Sequence, residues 1–135
     1  MSEMGKGIKV PISHLVLYHR EIGVHGGRRV GLRSLFGLRT LQDLPFLYLA
    51  NRVKDAYKGK DVPTHDGWPA QQEALRWFVE LGRDAIYELD TQPDTGSIMI
   101  RHTPYQRYYI DDGHHRVLAL HILGENEIVA QLTRR

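Results

Sequence analysis

The most constraining stretch of this 135-residue chain is Tyr105–Gly124, YQRYYIDDGHHRVLALHILG. Gln106–Ile110 reads as a strand, Asp112-Gly113 as a tight turn, and His114 onward as a helix closed by Gly124. From Val117 to Leu123 only His121 interrupts the apolar run, so the helix body must be buried. Its opening turn is polar: His114, His115 and Arg116 are all potential donors to phosphate oxygens. A strand feeding a helix through a glycine presents the helix's free N–H groups at a sheet edge. Those groups and the helix dipole favour an anion by about 0.3–1 kcal/mol when exposed and up to about 2 kcal/mol when partly buried. Gly113, without a side chain, lets the backbone come close to a ligand. The competing reading is structural: Asp112 caps the helix, and the two histidines and Arg116 make surface hydrogen bonds.

Around this unit the chain predicts an α+β domain with a small mixed sheet and packed helices, one domain over residues 1–135. Ile8–Ile12 alternates like a short strand, with Pro11 tolerated at an edge. Residues 20–40 hold five glycines and no lasting period, the pattern of a loop. A helix is expected over 44–58, with Asp43 as cap, Pro45 in the first turn and Gly59 at the end. Leu44, Leu47, Tyr48, Asn51 and Tyr57 would share one of its sides. A second helix opens at Pro69 and closes at Gly82, with Ala70, Ala74, Trp77, Phe78 and Leu81 as its core stripe. On such a stripe Trp77 and Phe78 serve packing rather than base stacking. Ile98–His102 and Gln106–Ile110 form a hairpin about Thr103-Pro104-Tyr105, and Glu127–Thr133 is a final strand.

The sequence contains no cysteine, which excludes disulfides, thiolate catalysis and sulfur-bound zinc. No apolar run approaches the roughly 18–20 residues of a membrane span, and the N-terminus lacks a secretory signal's apolar centre. A cytoplasmic protein without a membrane partner is therefore expected. The net charge of +2 hides an asymmetry. Residues 1–60 hold eleven basic against four acidic side chains, residues 61–99 two against eight, and residues 100–135 five against four. The basic part centres on Arg28, Arg29, Arg33 and Arg39, whose flat forks suit phosphate oxygens. Either this segment meets a nucleic acid or nucleotide, or it pairs with the acidic middle inside the fold.

Tyr108-Tyr109-Ile110-Asp111-Asp112-Gly113-His114-His115-Arg116-Val117-Leu118-Ala119-Leu120, with Leu123-Gly124 and Ile128-Val129-Ala130, resembles the signature half of the ParB/sulfiredoxin-like superfamily. The resemblance covers about 35 residues, and Ile8–Leu17 is similar to the family's first strand and turn; residues 22–95 are atypical of it. It implies that nucleotide phosphates bind at the helix start. His114 stands where sulfiredoxins carry cysteine, which removes sulfinic-acid reduction. Gly113, Arg116 and Ala119 match the ParB pattern, while His114, His115 and Leu118 replace its glutamate and two of its arginines. The Asp-Gly-His-x-Arg variant of ParB-like free serine kinases fits through Asp112, Gly113, His114 and Arg116. By that resemblance Glu21 is the acidic residue that assists catalysis.

The resulting expectation is a nucleotide- or phosphate-binding domain, acting as a phosphotransferase or nucleotide hydrolase. Gly113 and the backbone after it hold phosphate, Arg116 and His115 neutralise its charge, and Asp112 positions Mg²⁺ or a substrate hydroxyl. Magnesium would arrive with the nucleotide, since it prefers carboxylates plus phosphates. A metal site built by the protein alone is not expected: His114 and His121 lie about 10.5 Å apart along the helix and cannot share an ion. One alternative is a nucleic-acid-binding or nuclease module, with the arginine loop on the backbone and the paired histidines acting on one phosphodiester. Another is an interaction protein that keeps the fold without the chemistry. His65-Asp66 is a further acid–base candidate, or simply a solvated loop. Oligomeric state is not legible in the sequence.

Overall fold

The computed structural model describes residues 7–17, 43–64, 67–89 and 98–133. Glu21, Arg28, Arg29, Arg33, Arg39 and His65-Asp66 lie outside the described residues.

The strands are β1 (Ile8–Pro11), β2 (Leu15–Leu17), β3 (Leu44–Pro45), β4 (Met99–His102), β5 (Tyr108–Asp112) and β6 (Glu127–Leu132). They form one open mixed sheet in the order β1-β6-β4-β5-β2-β3. The pairs β1/β6, β4/β5 and β2/β3 are antiparallel, whereas β4/β6 and β2/β5 are parallel. Pro11 ends an edge strand, where its missing N–H costs no ladder bond. The predicted first strand is one residue shorter than expected, because Ile12–His14 turns as a 3₁₀ segment before β2. The predicted hairpin is present, with Ile100 opposite Ile110 and a bulge between Met99 and Ile100. Its turn is held by Thr103, whose buried hydroxyl accepts the amides of Tyr105 and Arg107, each at 3.0 Å.

The helices among the described residues are α1 (Phe46–Tyr57), α2 (Trp68–Leu81), α3 (Arg83–Glu88) and α4 (His114–Ile122). The longest, α2, has 14 residues, and no described helix is long and apolar enough to cross a membrane. α1 begins two residues later than expected. Leu44 and Pro45 pair with Leu17 and Val16, and Asp43 accepts a 2.7 Å hydrogen bond from Tyr109 Oη instead of capping the helix. The buried side of α1 is Phe46, Leu49, Ala50, Val53 and Ala56; Tyr48 is 46% exposed and Asn51 is exposed. Leu44, Leu47 and Tyr57 are partly buried against the same core, so the side expected from sequence is split, and anchoring of Leu44 to the sheet fixes the helix's rotation. α2 is corrected in the same way. It buries Leu75, with Phe78 and Val79 partly covered, while Trp77 is 55% exposed.

α4 lies at the centre. Val117, Leu118, Ala119, Leu120 and Ile122 are buried, as the apolar run requires. α1 and α2 both pack against it. Its C-terminus closes with Gly124 at φ 100°, whose amide donates to His121 O, while the Glu125 amide donates to Leu120 O, both at 3.0 Å. The core around it draws on alternate strand positions, including Leu15 and Leu17, Ile98 and Ile100, and Ile128 and Ala130.

Candidate functional site at the start of α4

β5 hands over to α4 through Gly113, which serves as N-cap in the left-handed region (φ 95°, ψ 22°). A Cβ here would stand 3.1 Å from Ile98 Cα, so the space left by the absent side chain is occupied by the beginning of β4. Backbone curvature and packing against Ile98 thus give Gly113 a structural reason to lack a side chain. Its amide is also engaged, donating to Asp112 Oδ1 at 2.9 Å. Asp112 does not cap α4 either, because that bond ends one residue short of the first helical amide. The first turn of α4 carries no side-chain cap among the described residues. The amides of His114, His115 and Arg116 have no acceptor within the helix, as at any helix start.

The three side chains of this turn diverge. His114 faces α1, with its ring 6.4 Å from that of Phe46. His115 and Arg116 face α2: His115 Nε2 is hydrogen-bonded to Gln71 Oε1, and the Arg116 guanidinium lies 5.9 Å from the Phe78 ring centre. Helical side chains lean towards the N-terminus, so both flank the opening turn. Burial depresses the pKa of His114 to about 4, with neighbouring His115 adding to the effect and Asp112 and Asp111 opposing it. Burial lowers His115 as well. At neutral pH both rings are therefore uncharged. Without a ligand, the charged side chain of this turn is that of Arg116.

Asp111 and Asp112 are exposed on the sheet side of the mouth. Asp111 accepts a 2.7 Å charge-assisted hydrogen bond from Arg101 Nε, and the Arg101 guanidinium stacks 4.7 Å over the Tyr109 ring. Tyr109 in turn donates to Asp43, so the floor beside the mouth is braced by residues from β4, β5 and the position just before β3. No local pattern marks this brace beyond the identities of its members. Gln71 and Phe78 on α2 were equally hidden, because their role depends on how two helices pack. His121 lies at the far end of α4, hydrogen-bonded to Asn51 Oδ1 at 2.8 Å, and takes no part in the mouth. No group of three or more histidine, aspartate or glutamate side chains gathers to hold a metal ion among the described residues. Asp112, with one oxygen not used by Gly113, is a carboxylate at the mouth able to touch a cation brought there by a ligand.

The parallel pairing of β2 with β5 adds a topological fact. The described chain breaks off at Leu17 and resumes at Asp43, both at the sheet end where β5 gives way to α4. Comparison of the chain with protein-family models, curated proteins and solved structures gives no significant match.

Proposed function

We propose that this chain is a phosphate-binding α+β domain of ParB/sulfiredoxin-like type, and that it takes the phosphate group of a nucleotide at the start of α4. The observation that carries this reading is the first turn of α4, without a side-chain cap among the described residues, ahead of a buried helix body and with Arg116 on its flank. The amides of His114–Arg116 receive the phosphate oxygens, and Arg116 supplies the balancing charge. His114 and His115, neutral at pH 7, act as hydrogen-bond donors or acceptors and not as counter-ions. Asp112 accepts the Gly113 amide with one carboxylate oxygen and keeps the other for Mg²⁺ carried by the phosphates or for a substrate hydroxyl. When bound, the ion would offset phosphate charge. Phosphotransfer or nucleotide hydrolysis is the chemistry that such an arrangement supports.

Calorimetry with ATP, ADP and CTP in the presence of Mg²⁺, alongside amide chemical-shift mapping, tests the reading. At least one nucleotide should bind and shift the amides of His114–Arg116. Arg116→Ala should weaken binding by about tenfold or more, since a charge-assisted hydrogen bond contributes about 1.5–3 kcal/mol. Binding that survives Arg116→Ala unchanged, or shifts confined to other elements, would overturn it.

A further inference from the structure

Of the two helices that pack on α4, α2 is the more lightly held. Among its 14 residues only Leu75 is buried, with Trp68, Phe78 and Val79 partly covered, whereas α1 buries five side chains. Its principal contacts are with α4 and α3. Two polar contacts close the α2–α4 interface beside Leu75, both from the first turn of α4. His115 Nε2 donates to Gln71 Oε1, and the Arg116 guanidinium lies 5.9 Å from the centre of the Phe78 ring. An element held by so few buried side chains sits at the low-stability end of a fold and opens locally before the core does.

A part-buried imidazole at such an interface ties docking to protonation. An imidazolium needs hydration that the α2–α4 contact denies it, so burial lowers the pKa of His115. Docking is therefore strongest above the ordinary value of about 6.5 and weakens as acid charges the ring. Neighbouring groups do not offset this. On its own turn His115 has His114 and Arg116. From α2 it meets neutral Gln71, while Glu73 and Arg76 pair with each other at 3.2 Å on the exposed side. Asp111 and Asp112 of β5 bear on His114, whose pKa of about 4 delays its own charging, and Lys54 of α1 bears on His121. We propose that α2 is a pH-operated flap beside the start of α4, docked while His115 is neutral and released when that ring takes a proton. Because His115 and Arg116 flank the opening turn, release uncovers the mouth from the α2 side. The inference does not rest on the phosphate reading, since the flap opens and closes without a ligand.

Both tryptophans of the chain lie on α2, and Trp68 is the partly buried one, so emission reports this helix alone. An acid titration without ligand, read by tryptophan emission and by residue-resolved hydrogen exchange, tests the proposal. Below about pH 6.5 the emission should shift to the red and the α2 amides should lose protection, while the amides of α4 and β6 remain protected. His115→Gln keeps a neutral hydrogen-bonding group at the interface and should hold α2 docked over the same range. Gln71→Glu sets a carboxylate, ionised down to about pH 4.3, against the imidazolium and should move the opening down by about one pH unit or more. A Gln71 that only packs would instead lose docking equally at every pH when changed to Glu. The proposal is overturned if α2 and the core lose protection together, or if His115→Gln opens at the native pH. It is equally overturned if Gln71→Glu opens at the native pH or above it.

Discussion

At φ 95°, with Ile98 Cα only 3.1 Å from where a Cβ would stand, Gly113 is held by strain and by packing together. Gly113→Ala should lose about 1–3 kcal/mol in urea unfolding, more than the helix propensity of alanine can return. This role was half legible: the sequence announces a glycine turn before the helix, while its contact with Ile98 depends on a strand pairing that spacing does not reveal. His114 carries a prediction of a different kind. Its folded pKa of about 4 lies below the ordinary 6.5, so between those values the unfolded chain binds more protons than the folded one. The stability that neutral His114 contributes is whole above pH 6.5 and is lost as pH falls through about 4. At 1.36 kcal/mol per unit, the loss is at most about 3 kcal/mol. His115 and His121 are shifted the same way and steepen the fall. Urea midpoints measured from pH 7 to pH 4 should decline in the native protein and decline less in His114→Phe; equal slopes would count against the burial of this ring.

Rotation is the property of a helix that its sequence left least determined here. In α1 the apolar residues allow more than one inward side, and the choice is made outside the helix by Leu44 and Pro45 pairing with β2. Leu49→Ala should therefore cost about 2–5 kcal/mol, whereas Tyr48→Ala, on the exposed side, should change stability by less than about 0.5 kcal/mol. Reversal of that order in thermal unfolding would mean the helix sits the other way round. α4 was legible because its body is apolar on all sides but that of His121, which left little rotation to choose. Its start, Gly113, and its end, Gly124, were likewise read correctly, each glycine having the positive φ that the turn demands. α2 misled because two apolar rows compete for the interior, and the row with the stronger helical spacing is the one left in solvent. α3 was missed altogether, a six-residue helix too short to show a period.

Across the molecule, β6 extends beyond β4, which it meets only through Gln131 and Leu132. The Val129 amide, past the end of that ladder, donates to Tyr87 Oη at 3.1 Å, so a side chain from α3 takes the place of a strand. Tyr87→Phe removes the acceptor and should cost about 1–3 kcal/mol, with faster hydrogen exchange at Val129 as the local signature. The class of fold, a mixed sheet with helices, followed from the order of periodic segments. The strand order did not, because parallel pairs such as β2/β5 join residues more than ninety positions apart, beyond any local pattern. That same arrangement places Leu17 opposite Leu44, making β2 and β3 two arms of one hairpin regardless of what connects them. An edge strand of two residues, one of them proline, offers another chain almost no ladder to join.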